Sequence, residues 1–248
     1  RDGGDRLENL EKMINAVEET QKRGLNRAEH RLHLRCELPH HTTLPLFEKL
    51  VGREPVSLVS LMDHSPGQRQ FATPQKYREY YQGKYHMNDA QMDEFQEEQI
   101  ALSRRWAQPN REAIAAHCRA RNISLASHDD ATTAHVEESL ALGSVIAEFP
   151  TTEEAARASH ANGLQVLMGA PNIVRGGSHS GNVAAHQLAS LGLLDILSSD
   201  YYPASLLDAV FRIATDENNA FSLPQAVKLV TRNPANALGL NDRGEIAE

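Results

Sequence analysis

The chain has 248 residues and a formal net charge of -8, with 25 Lys and Arg against 33 Asp and Glu. This balance argues against a nucleic-acid partner, because binding to a phosphate backbone needs clustered basic residues. We expect neither a membrane span nor a signal peptide, since no apolar run approaches the roughly 18 residues of a span. Cys36 and Cys118 provide no disulfide framework, which suits a reducing cytoplasm. The length permits one large α/β domain.

The first elements follow from apolar periodicity. Apolar residues from Leu7 to Val17 recur at helical spacing, and Gly24 is expected to stop this helix. Residues 31–38 alternate between apolar and polar side chains, as in a strand that Pro39 ends. A short helix over 47–51 and a buried strand over 56–62 are expected next.

Residues 75–105 form the largest irregularity, polar and charged with four tyrosines. The segment is too long for a simple loop, so we expect a helical insertion at the mouth of the domain. Such an insertion closes over a substrate as a lid, or is only a solvated helical excursion. Pro109 is expected to start the next helix, over 111–120.

Strand-like and helix-like runs then alternate to the end of the chain, which is typical of parallel βαβ units. The expected fold is an α/β barrel of the (β/α) type in which about six of the usual eight strands are present. The remaining runs are 123–127, 136–142, 144–149, 153–162, 164–168, 184–191 and 194–198.

Five apolar runs end on ionisable or metal-seeking side chains. Because the C-terminal ends of strands meet at one mouth of such a barrel, these side chains should converge on a hydrolytic metal centre. The candidates are Glu37, His64, the run from His128 to Asp130, Glu148 and Asp200.

Each candidate also has a structural interpretation. Asp63 and His64 could form a purely structural hydrogen bond, and Glu148 could lie on the surface. In the His-Asp-Asp run that starts at His128, Asp130 could cap the helix that follows.

The stretch 169–182, GAPNIVRGGSHSGN, predicts an anion site. Two glycines after Arg175 would let successive backbone N–H groups face one point, and Ser178, His179 and Asn182 add donors. The helix expected from Val183 would add its N-terminus. The alternative is an ordinary Gly-rich turn. Arg69, which soon follows His64, offers a second cation with the geometry to bind phosphate.

Several long motifs carry a resemblance to a known family. The tail LPQAVKLVTRNPANALGLNDRGEIAE resembles the closing segment of the amidohydrolase superfamily. Within that superfamily the chain resembles the diphosphatases of phosphonate metabolism, and the motifs that do so stand in the same order along the chain. They are SLMDHSPGQRQF, SHDDATTAHVEE, EFPTT, LMGAPNIVRGGSHSGN and SSDYYPASLL.

The resemblance implies hydrolysis of α-D-ribose 1-methylphosphonate 5-triphosphate to the 5-phosphate and diphosphate. It implies one or two divalent metal ions, expected to be zinc, and a small phosphorylated ribose phosphonate as the only partner; homo-oligomerisation is left open. Glu37 would be a bridging carboxylate and Asp200 a metal-linked general base. His64, His128, His179 and Glu148 would be ligands or near neighbours. Arg69, Arg175, Ser178 and Tyr201 would hold phosphate or phosphonate oxygens.

The resemblance also implies parts that the printed sequence lacks: two leading strands with a His-x-His or His-x-Asp motif, and a small β-sandwich. We therefore expect a partial barrel with weak or no activity alone. Two alternatives remain open: another amidohydrolase reaction, such as deamination or amide hydrolysis, and a non-catalytic barrel remnant that binds a partner.

Overall fold

The computed structural model describes residues 4–69, 74–177 and 181–246. Its sheet has six parallel strands in sequential order, curled as half of a barrel. The strands are β1 (Leu32–Glu37), β2 (Val56–Met62), β3 (Ser124–His128), β4 (Ile146–Glu148), β5 (Gln165–Gly169) and β6 (Ile196–Ser198). The predicted α/β class and the six strands are confirmed. Among the helices in the described ranges, none combines the length and apolar composition needed to cross a membrane.

Helices connect the strands. The helices in the described residues are α1 (Gly4–Lys22), α2 (Thr43–Leu50), α3 (Pro74–Tyr85), α4 (Asp89–Arg121), α5 (Thr133–Ala141), α6 (Glu153–Ala161), α7 (Ala170–Arg175), α8 (Ala185–Ser190), α9 (Ser205–Thr215), α10 (Leu223–Lys228) and α11 (Arg232–Ala237). The predicted first helix and the helical content of 75–105 are confirmed.

The prediction that a helix starts at Pro109 is wrong. Helix α4 begins 20 residues earlier, where Asn88 and Gln91 form a capping box, and it continues through the proline. An interior proline costs about 3 kcal/mol because it removes a backbone hydrogen bond. Packing on both sides offsets this cost, since Ala107 is buried and Asn110 donates to the carbonyl oxygens of Leu38 and His40.

Successive side chains along each strand point to opposite faces of the sheet. Four apolar side chains, one from each of four neighbouring strands, form one buried cluster: Ala126, Ile146, Leu167 and Ile196. Ala126 is in register with Ile146, and Leu167 is in register with Ile196. We call this side the inner face. Residues one position along, such as Val166 and Leu197, pack against the helices on the other side. Because strand side chains have a period of two, His128 and Glu148 lie on the inner face, two residues beyond Ala126 and Ile146. The strands thus carry an apolar floor below a polar rim.

Candidate active site

The polar rim begins on β1, whose inward residues each bond to a different strand. His33 Nε2 lies 2.5 Å from Ser60 Oγ, and Ser60 donates to Glu148 Oε2 at 2.8 Å. Arg35 Nη2 lies 3.3 Å from His128 Nε2. The polar side chains predicted for one face of β1 therefore form hydrogen bonds with residues of β2 and β3.

Glu37, at the end of β1, holds His64. Its two carboxylate oxygens accept from the backbone N–H of His64 at 3.0 Å and from the ring nitrogen Nδ1 at 2.6 Å. The other ring nitrogen, Nε2, lies 3.6 Å from Asp129 Oδ2. Burial alone would lower the pKa of His64, but Asp129 and Glu37 raise it to about 10. Two carboxylates therefore make this position strongly attractive to a cation.

Glu148, at the end of β4, holds His128 in the same way. His128 and Glu148 are direct neighbours in the sheet register, and Nδ1 lies 2.7 Å from Glu148 Oε2. Nε2 lies 3.5 Å from Asp129 Oδ2. Burial alone would raise the pKa of Glu148, but the hydrogen bond from His128 and the charges of His128, His33 and Arg35 lower it to about 2. The alternative that Glu148 lies on the surface is wrong.

The contact with Arg35 also indicates the tautomer of His128. A guanidinium can only donate, so Nε2 must be the acceptor and Nδ1 must carry the proton given to Glu148. Nε2 of His128 therefore carries a lone pair and no proton, with Arg35 Nη2 at 3.3 Å and Asp129 Oδ2 at 3.5 Å.

Three candidate ligand atoms lie within 4.8 Å of one another, from His64, His128 and Asp129. The sequence predicts the two histidines as site residues, but it includes Asp129 only as part of the run from His128 to Asp130 and does not single it out as a ligand. Consecutive strand residues normally point to opposite faces, which would have turned Asp129 away from His128. The strand ends at His128, however, and Asp129 adopts a left-handed conformation with φ 55°. The signal in the sequence was the run of two aspartates at a strand end, since Asp tolerates this conformation.

Asp130 is not the helix cap that one interpretation proposed. Thr132 caps α5, with its hydroxyl accepting from the backbone N–H of His135. Asp130 is instead buried and paired with Arg69, which also contacts Glu138. Arg69 itself is buried, with a side chain only 6% exposed. Its predicted phosphate contact stays a prediction.

A cavity of about 740 Å³ opens beside His128 and Asp129. Asp200 and Tyr201 line it from the end of β6, and Arg175 lines it from the end of α7. The Arg175 guanidinium lies 6.0 Å from the centre of the Tyr201 ring. Asp200 thus lines the same cavity as His128. Glu37 and Glu148 instead contact the Nδ1 atoms of the two histidines.

The predicted anion turn is partly helical. Residues 170–175 form α7, and Gly176 follows it in a left-handed conformation with φ 80°. The helix expected from Val183 begins two residues later, at Ala185. Ser178 and His179 lie outside the described residues.

Helix α3, from the predicted insertion, supplies one wall of this cavity through Lys76, Glu79 and Tyr80. The insertion therefore borders the candidate site. Its action as a lid stays a prediction.

The chain is 80% identical over all 248 residues to the α-D-ribose 1-methylphosphonate 5-triphosphate diphosphatase of Escherichia coli (strain K12). The predicted resemblance is confirmed. The chain spans 66% of the length of that relative. No protein-family model matches the chain.

A solved structure supports the fold alone. The crystal structure of a protein described as uncharacterized superimposes with a TM-score of 0.53 at 12% identity, over 94% of this chain and 62% of that one. This likeness agrees with the curled parallel sheet.

Proposed function

We propose that the chain carries the catalytic face of a metal-dependent diphosphatase of the amidohydrolase barrel type. Its substrate would be α-D-ribose 1-methylphosphonate 5-triphosphate, the compound in the name of the relative that is 80% identical. The observation that carries the proposal is the group of His64, His128 and Asp129 beside a cavity with cationic side chains. A cytoplasmic location is part of the proposal.

The donor set fits a divalent metal. The two Nε2 atoms lie 3.6 and 3.5 Å from Asp129 Oδ2. Ligand atoms at about 2.0–2.1 Å around a tetrahedral zinc are separated by roughly 3.4 Å. Metal-bound histidines commonly give their other N–H to a carboxylate, which is the place of Glu37 and Glu148 here. We therefore propose zinc at this group, with the two glutamates orienting the ligands rather than binding the metal directly.

A bound metal would supply Lewis-acid stabilisation of the charge that develops on the phosphoryl oxygens. The residues of the chain would supply the rest. A carboxylate oxygen of Asp200 would take a proton from the attacking water, and Arg175 beside Tyr201 would hold phosphoryl oxygens. The bond that breaks joins the first and second phosphoryl groups, so that the 5-phosphate and diphosphate leave as products.

The predictions for Arg69, Ser178 and His179 have less support. Arg69 is engaged by two carboxylates in a buried position, which favours a structural role. Ser178 and His179 remain candidates from their sequence motif.

Metal binding and product identity test the proposal together. The purified chain is dialysed against zinc and its metal content is measured. Because weak or no activity is expected of the partial barrel alone, diphosphate is assayed at high chain concentration and over long incubation with the triphosphate substrate. His128→Asn should lose metal and diphosphate release together. His117→Asn is the matched control, because His117 lies on α4 and contacts Glu48 away from the site.

Equal metal content in the native chain and in His128→Asn would refute the metal site. Release of orthophosphate in place of diphosphate would refute the proposed bond cleavage.

A further inference from the structure

In the described part of the chain, three side chains with a Lys or Arg charge line the cavity, and each comes from a different element. They are Arg35 on β1, Lys76 on α3 and Arg175 at the end of α7. The proposed function above uses only Arg175, so it gives no role to the first two cations.

Arg35 lines the cavity beside the candidate ligands His128 and Asp129. Its Nη2 lies 3.3 Å from His128 Nε2. A guanidinium has donors in a planar fork that matches phosphate oxygens. An anionic group bound beside His128 would therefore lie close to the Arg35 guanidinium.

Lys76 lies on a different wall of the cavity, next to Gly181, which follows α7 in the sequence. A Cβ placed on Gly181 would lie 2.6 Å from Lys76 Nζ, which is closer than such atoms approach. The ammonium group therefore occupies space that exists only because residue 181 is glycine. Gly181 also has φ 75°, a conformation that other residues rarely adopt.

Carboxylates oppose these cations. Among the described residues, Glu79, Asp129 and Asp200 line the same cavity and balance the charge of the three cations. Recognition of an anion by these side chains must then depend on where the individual cations stand, because their charges sum to zero.

We infer that the cavity takes a linear polyphosphate, with an inner phosphoryl group on Arg35 and an outer one on Lys76. This inference rests on the proposed function and names the feature of the substrate that is recognised. Arg35 and Lys76 line the same cavity of about 740 Å³ from different elements, so we expect a chain of phosphoryl groups to contact both and a single phosphate to bind at one of them. The helical insertion would thereby select triphosphates over monophosphates.

Calorimetric titration tests the inference. Inorganic triphosphate and orthophosphate are titrated into the zinc-loaded native chain after free zinc has been removed by dialysis. Lys76→Met should weaken triphosphate binding about tenfold, the lower end for a charge-assisted contact because Lys76 is exposed. Orthophosphate binding should not change.

Lys84→Met is the matched control. Lys84 is on the same helix and has the same charge, but its Nζ lies 5.1 Å from the centre of the Tyr85 ring rather than at the cavity wall. It should leave the affinity for triphosphate unchanged.

Gly181→Ala gives an independent check, because the added Cβ displaces the ammonium of Lys76. It should weaken triphosphate binding in the native chain and add no further loss in Lys76→Met. A further loss of similar size in Lys76→Met would mean that Gly181 acts without Lys76, and would overturn the inference.

Unchanged triphosphate affinity in Lys76→Met, or an equal loss in Lys84→Met, would also overturn the inference. The proposed function would survive either result, because diphosphate release and its dependence on His128 are measured separately.

Discussion

Arg69 has either a structural role or a ligand-binding role, and the variant Arg69→Met distinguishes the two. The arginine donates to Asp130 and Glu138, and the Asp130 side chain is only 1% exposed. Removing one partner of a buried ion pair costs about 3–5 kcal/mol, because the remaining charge is left without compensation. Glu138 is 34% exposed and keeps its contact with Arg111 at 2.9 Å. Asp130 is therefore the one carboxylate of the two that loses its cationic partner. We therefore expect a loss of about 3 kcal/mol, the lower end of that range.

Urea unfolding monitored by circular dichroism measures this loss. Arg212→Met is the matched control, since Arg212 pairs with Asp208 on α9 and is 53% exposed. Exposed pairs contribute little, so its unfolding midpoint should stay close to that of the native chain. The double variant Arg69→Met with Asp130→Asn should recover part of the loss, because a neutral amide is cheaper to bury than an unpaired carboxylate.

A native unfolding midpoint in Arg69→Met would refute the structural role. If the same variant also bound triphosphate more weakly, the phosphate contact predicted from the sequence would be supported instead.

Three further predictions concern the site and the core. Glu148→Gln should lower zinc affinity about 10–100-fold, since it weakens the carboxylate that orients His128; competition with a chromophoric chelator measures this, and unchanged affinity would argue against an orienting role. Arg175→Ala should weaken binding of a triphosphate-bearing ligand by about 2 kcal/mol in calorimetry, whereas an unchanged affinity would leave only a helix end followed by a turn. Burial raises the pKa of Cys36 and of Cys118 to about 12, so a thiol reagent at pH 8 should label neither cysteine in the folded chain and both after unfolding; rapid labelling of the folded chain would contradict this core.

Much of the sheet could be predicted from local patterns. The alternation in β1, the apolar run of β2 and the later βαβ rhythm predicted six strands, and six parallel strands are present. This worked because strand side chains have a period of two and because most of the apolar runs stop at or near a polar residue. The same logic marked Glu37, His128 and Glu148, which are the last residues of their strands, and His64 and Asp200, which follow strands.

Other features depend on contacts between distant residues, and the sequence could not reveal them. Local propensity placed a helix start at Pro109, but a capping box at Asn88 and tertiary packing of Asn110 carry α4 through the proline. Arg69 contacts Asp130, which lies 61 positions away in the sequence, and local patterns could not predict this buried ion pair.

The arrangement of the site was decided in the same way. The sequence determined which ionisable residues stand at the strand ends, since that follows from periods of two and from where each apolar run stops. The tertiary structure decided which atoms face the cavity. Glu37 and Glu148 each take the Nδ1 side of a histidine from a neighbouring strand, and the left-handed turn at Asp129 brings its carboxylate between the two rings. These choices depend on strand register and on one backbone angle. The run of two aspartates permits that angle, but no local pattern of residue types sets the register that brings the two histidines together.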